Sequence, residues 1–119
     1  MTHDEMNKRI KELGGWSEIN AIKVSLEKYQ ELLAKDKPPS RDEIETDTCG
    51  CCQWYLYQRH GGCEACVFER IIENRLACCK EWRELIRIMS GYKDGDWREP
   101  VRDMIRIMEE ALEERGVEL

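Results

Sequence analysis

Apolar positions recur every three or four residues over most of the chain, the spacing of one face of an α-helix, while alternation of strand length is confined to a short stretch at residues 53–58. The clearest stripe is Trp16, Ile19, Ile22, Leu26, Tyr29 and Leu33. Ser17 stands where a capping oxygen is needed and Pro38-Pro39 stop the pattern, so a helix is predicted over 18–36, within a segment 16–37. Ahead of it, Met6, Ile10 and Leu13 make a shorter stripe ended by Gly14-Gly15, read as an N-terminal arm over 1–15 with one amphipathic turn or two. Ser40 and Glu43 have capping-box spacing for one short turn before a loop begins at Thr46. In the second half, Val67, Phe68, Ile71, Ile72, Leu76, Cys79, Trp82, Leu85, Ile86 and Met89 run without Gly or Pro as far as Gly91, which predicts a single helix over 66–90. Asp94-Gly95-Asp96 is turn chemistry, and Pro100, Val101, Met104, Ile105, Met108, Ala111 and Leu112 predict a last helix over 100–115. The expected fold is mainly α: one domain over 1–119, a small helical bundle with a cysteine-rich loop inserted between its first long helix and its central helix.

Composition sharpens this picture. Of the 119 residues, 41% are hydrophobic and 37% charged, the balance of charge-faced helices around a narrow apolar seam. No run approaches the roughly 18 apolar residues of a membrane span. Asp4, Glu5, Lys8, Arg9, Lys11 and Glu12 occupy the region where a secretory signal would carry its apolar core, so a reducing cytoplasm is expected, that of the host if the protein is viral. A net charge of −6 and a pI of about 5.1 argue against a dedicated duplex-DNA binder. The expected partner is a protein with a basic surface, and nucleic acid and membrane are not expected. The acid is also clustered: Asp42, Glu43, Glu45 and Asp47 oppose only Arg41, and Glu109, Glu110, Glu113, Glu114 and Glu118 oppose only Arg115. Such acids form either a solvated helix face or a contact surface.

The candidate chemistry lies in the cysteines. All seven fall between residues 49 and 79, as Cys49-x2-Cys52, ten residues, Cys63-x2-Cys66, eleven more, then Cys78-Cys79, with Cys51 inside the first unit. Two C-x2-C units about ten residues apart suit tetrahedral zinc, because each presents two thiolates from one tight turn and the intervening loop lets the turns face each other. Cys49, Cys52, Cys63 and Cys66 are therefore the expected ligands of a metal-binding loop over 47–66, a zinc-knuckle pair. Little aliphatic bulk lies in that loop, and ordering a residue costs about 1–2 kcal/mol of backbone entropy, whereas structural zinc contributes on the order of 10 kcal/mol. The metal is read as a fold organiser.

Cys51, His60, Cys78 and Cys79 are further or alternative ligands. Along an unbroken helix Cys79 would lie about 20 Å beyond Cys66, too far to share an ion bonded at about 2.3 Å, and would serve as a small buried hydrophobe; a break near Asn74 would readmit it. His60 could replace one thiolate, or be an exposed loop histidine beside Gly61-Gly62. Trp54, Tyr55 and Tyr57 read as local core of the loop or as a partner patch. A thiolate-rich closed set is not a catalytic zinc site, and no Walker, dinucleotide-binding or zincin motif is present, so no enzymatic activity is expected. Two alternatives stay open: an iron–sulfur cluster for electron transfer or redox sensing, which the same spacing could ligate, and a nucleic-acid-binding zinc protein using Arg59 and Arg70.

The order of helix, C-x2-C, aromatic loop, second C-x2-C, later cysteine and terminal helix resembles a group of small cysteine-rich proteins encoded by phages and prophages, mostly of unassigned function. The matching positions are Cys49, Cys52, Cys63, Cys66 and, loosely, Cys78 or Cys79, across residues 16–115. That group often has Pro after the fourth cysteine and Gly before the fifth, where this chain has Val67 and Leu76-Ala77. The resemblance implies an accessory protein of a mobile element that binds a host factor, with inhibition of a defence nuclease, in the manner of anti-CRISPR proteins, as one such role.

Overall fold

The computed structural model describes residues 2–40, 42–44, 53–60, 71–72, 75–76 and 80–118. Among them are four α-helices: α1 His3–Glu12, α2 Glu18–Ala34, α3 Lys80–Met89 and α4 Arg98–Glu114. Between α2 and α3 lie a 3-10 turn at Asp42–Ile44, a π-helical turn at Gln53–Tyr57 and two short strands, β1 Ile71–Ile72 and β2 Arg75–Leu76. The molecule is mainly helical, as the apolar periodicity requires.

α2 begins where Ser17 accepts a hydrogen bond from the Asn20 N–H at 3.1 Å. The Asn20 side-chain amide turns back to donate to the carbonyls of Leu13 and Gly15, at 3.2 and 2.8 Å, which ties the α1–α2 connection to the first turn of α2. Gly14 and Gly15 both have positive φ, +103° and +108°, so the chain leaves α1 through a conformation that side chains with a Cβ rarely adopt.

α2 is buried on two sides. Ile22, Leu26, Tyr29 and Leu32 meet Val101, Met104, Met108, Ala111 and Leu112 of α4, and Leu85 of α3, Ile44 and Trp97 complete this core. Val24 faces the other way, into a second cluster with Met6 and Ile10 of α1, flanked by Leu13 and Trp16. The amino-terminal segment expected as an arm thus forms a helix docked on α2. Arg9 clamps that contact, its Nε and Nη2 donating to both oxygens of Glu27 at 2.8–3.1 Å, and the Glu27 carboxylate holds the guanidinium above its ordinary pKa. Trp16, expected on the long stripe of α2, belongs to this smaller cluster. Lys28 is fully buried on α2, its Nζ 5.3 Å from the centre of the Tyr29 ring.

The central helix needs correction. A single helix over 66–90 is not formed: Ile71 pairs antiparallel with Leu76 and Ile72 with Arg75, and helix is described over Lys80–Met89. Two β-branched residues favour extended backbone, and this register leaves Glu73 and Asn74 between the paired positions, Asn being a residue type suited to chain reversal. A mixed apolar run of this kind has no period that separates helix from buried strand. From Lys80 onward helical spacing holds, with Leu85 buried, Trp82, Ile86 and Met89 packed against the core, and the Trp82 indole N–H donating to the Ile44 carbonyl at 2.7 Å. α3 closes at Gly91, φ +77°, where the Tyr92 N–H returns to the Arg87 carbonyl at 3.0 Å.

α4 starts two residues earlier than expected, at Arg98, so Pro100 occupies its third position, still in the first turn where its missing N–H has no intrahelical partner to lose. Arg98 joins the two ends of the frame by donating to Asp36 at 2.6 Å and to Asp96 at 3.0 Å, while the Asp96 carboxyl, which also accepts from the Arg98 N–H, is held below its usual range. Ser40 and Glu43 form the expected capping contact, the Ser40 N–H donating to Glu43 at 2.9 Å.

Two outcomes follow from this packing. Leu112→Ala, at a site 1% exposed, should lose about 2–5 kcal/mol in urea unfolding, and a loss well under 1 kcal/mol would contradict the α2–α4 core. The Glu43 pKa is lowered, by the Ser40 N–H first and by Lys35 after its partial burial is opposed, so its contribution is present above the unfolded glutamate value of about 4.3 and fades as the pH falls through the lower folded value. Glu43→Gln should therefore flatten the acid limb of stability measured by circular dichroism, and an unchanged limb would rule the contact out as a contributor.

Candidate functional site

The expected ligands Cys49, Cys52, Cys63 and Cys66, and the further candidates Cys51, Cys78 and Cys79, all lie outside the described residues. What the structure describes is the frame on either side of them. Among the described residues no group of three or more His, Cys, Asp or Glu is placed to hold a metal ion.

Between the two C-x2-C units, Gln53–Tyr57 form one π-helical turn, closed by the Gln58 N–H on the Gln53 carbonyl at 2.9 Å. Trp54 is half-buried and packs against the core that α2 and α4 share, so this part of the loop is anchored by an aromatic side chain. Arg59 follows at φ +58°, a left-handed position, and the chain there bends so that His60 comes back over the turn. The His60 and Trp54 rings stack with centroids 3.7 Å apart and 11° between planes, and the His60 N–H reaches the Trp54 carbonyl at 3.4 Å. His60 is exposed. Tyr57 is also exposed, at 52%. Of the three loop aromatics, Trp54 thus supplies core and Tyr57 supplies surface.

The antiparallel pairing at 71–76 alters the standing of the later cysteines. The argument that set Cys79 about 20 Å from Cys66 requires one continuous helix, and the chain reverses direction instead. Distance along a helix therefore no longer separates Cys78 and Cys79 from the first four.

The acidic residues of the last third are fully described. Glu109 is half-buried, and Glu110, Glu113 and Glu114 are exposed on α4. Arg115, the only base among them, is turned away: its Nε donates to Glu18 on α2 at 2.6 Å and its Nη1 to the Ala111 carbonyl at 2.9 Å. Glu109, Glu110, Glu113 and Glu114 make no ion pair among the described residues, so the end of α4 carries uncompensated negative charge. The acidic turn differs: Glu43 is paired with Lys35 at 3.2 Å.

One feature the sequence reading passed over is basic. Lys80, Arg83 and Arg87 stand three and four residues apart along the exposed side of α3, and with Glu84 and Lys93 they line a groove of about 210 Å³. The three- and four-residue spacing of these bases is the sequence signal for this line. No described helix is long and apolar enough to cross a membrane. No protein-family model matches the chain, and comparison with curated proteins and with solved structures yields no match.

The stack on Trp54 gives His60 a task apart from metal binding. His60→Ala should leave the metal content found by elemental analysis equal to that of the parent chain, and a fall to less than half would make His60 a ligand.

Proposed function

We propose that the chain is a zinc-stabilised accessory protein of the phage type that acts by binding another protein, through the acidic end of α4, at a partner with a basic surface. The observation that carries the reading is that Glu109, Glu110, Glu113 and Glu114 form no ion pair among the described residues, Arg115 being turned onto Glu18 and Arg106 onto Asp103. Complementary charge of this kind raises the rate of encounter and selects among partners. A host defence nuclease, whose nucleic-acid-binding face is basic by necessity, is a partner of matching chemistry.

Zinc enters through the cysteine spacing. Cys49, Cys52, Cys63 and Cys66 would hold the ion as thiolates, and the ion would supply the cross-link that draws residues 47–66 together. Trp54 supports this arrangement: it tethers the middle of the loop to the helical core, so the two knuckles start from a shared anchor. Cys78 and Cys79 stand in reserve as ligands now that the chain reverses at 71–76. No step of catalysis is assigned to the site.

The test has two arms. Protein purified anaerobically should be colourless with one zinc per chain, and Cys52→Ser or Cys63→Ser should lower both zinc content and melting temperature; visible absorbance with bound iron would replace zinc by an iron–sulfur cluster. In the second arm, a variant with Gln at 109, 110, 113 and 114 should retain its melting temperature and lose at least about tenfold in affinity for a basic partner isolated with the wild-type chain, and equal affinity would contradict the acidic-face reading.

A further inference from the structure

The charge of this chain is segregated, and its basic part has a shape. Lys80, Arg83 and Arg87 occupy one exposed line of α3 that spans about 10 Å along the helix axis. None of the three makes an ion pair among the described residues. Lys93, brought to the end of the same helix by its N–H on the Arg87 carbonyl at 3.3 Å, adds a fourth cation and is matched to Glu84, the one carboxylate that lines the groove. Glu81 is half-buried and does not line it. A chain of net charge −6 thus presents an excess of three positive charges in a groove of about 210 Å³.

Tyr92, 88% exposed, directly precedes the lining residue Lys93, and its backbone N–H donates to the carbonyl of the lining residue Arg87 at 3.0 Å. Tyr92 and Tyr57 are the exposed large hydrophobic residues among those described. A solvent-exposed aromatic ring on the segment that also carries a groove cation, Lys93, joins the two features that single-stranded nucleic acid uses: cations track the phosphates and a ring accepts a base. Guanidinium groups add bidentate geometry toward phosphate oxygens. A protein partner would call for a cluster of apolar anchors at the centre of the patch, and the exposed line of α3 offers none. A duplex would call for a broad basic face, which an acidic chain with one ten-residue basic helix does not supply.

We infer that the α3 groove, with Lys80, Arg83, Arg87 and Lys93 as phosphate contacts and Tyr92 as a stacking platform, binds single-stranded nucleic acid. The groove is lined by none of the acidic residues at the end of α4 and by no cysteine, so the two assignments are tested by different substitutions. Specificity for base sequence is not expected, since cations and a stacking ring read backbone and π-face alone.

The experiment is fluorescence anisotropy of the full chain with a labelled oligothymidylate of about 20 nucleotides, repeated with inorganic polyphosphate as competitor. With three to four phosphate contacts, the logarithm of affinity should fall against the logarithm of salt concentration with a slope of about −2 to −3. Arg83→Ala with Arg87→Ala should weaken binding about tenfold or more and reduce that slope, with the circular dichroism spectrum unchanged because both side chains are exposed. Tyr92→Ala should weaken oligothymidylate about fivefold or more while leaving polyphosphate binding unchanged, which separates stacking from charge. Absence of binding at low salt, or full affinity in the double arginine variant, would overturn the assignment. So would a polyglutamate chain that binds as tightly as the oligonucleotide with no effect of Tyr92→Ala, since the groove would then be a site for acidic polypeptide. The variant with Gln at 109, 110, 113 and 114 should bind the oligonucleotide at least as well as the parent chain.

Discussion

The structure depends on α2 being buried along two sides at once. Ile22, Leu26, Tyr29 and Leu32 need α4, and Val24 needs α1, so a single helix joins the first residues of the chain to the last. Burial of each such side chain contributes about 1.5–3 kcal/mol, and the polar contacts around the seam direct it more than they strengthen it. Arg9 with Glu27, Arg98 with Asp36 and Arg115 with Glu18 each link α2 or its end to another helix, setting angle and register at exposed or half-exposed positions. The core contains both Ile44 and Leu85, and the hydrogen bond from Trp82 to Ile44 ties α3 to the turn that follows α2.

The helices have a core of their own, and within the cysteine-rich insertion Trp54 is the described side chain that reaches it. We propose that a metal held by thiolates at C-x2-C spacing supplies the cross-link for a segment whose sequence has little aliphatic bulk. The same segregation appears in the charge. Three bases of α3 and Lys93 line one groove, acids gather at the end of α4, and Arg115 beside those acids is turned onto Glu18 of α2. An acidic total therefore conceals two surfaces of opposite sign, each with its own proposed partner.

How much of this was legible in the sequence differs from element to element. α2 and α4 were readable because period and punctuation agree: Ser17 caps the first, Pro100 sits in the opening turn of the second, and both stripes run long enough to fix a helical face. α1 was readable as a pattern but its docking was not, since Val24 faces away from the main stripe of α2 and a one-sided reading of that helix leaves Met6 and Ile10 without a partner. The helix expected over 66–90 failed at Ile71-Ile72 for a local reason: apolar residues in a mixed run satisfy either period, and β-branching with a following Asn decides for extended chain. For the candidate site, spacing identifies donors, whereas closure around one ion is a long-range property that spacing leaves open. The stack of His60 on Trp54 had no sequence signal, because it depends on a left-handed Arg59.

The account's central claim is that four sulfurs from two turns hold one zinc ion, and the most direct measurement of it is X-ray absorption at the zinc edge of the reduced protein. The account predicts a single first shell of four sulfur atoms at about 2.3 Å. A shell containing nitrogen or oxygen at about 2.0–2.1 Å in place of two or more sulfurs, or an absence of bound zinc from the folded chain, would contradict it.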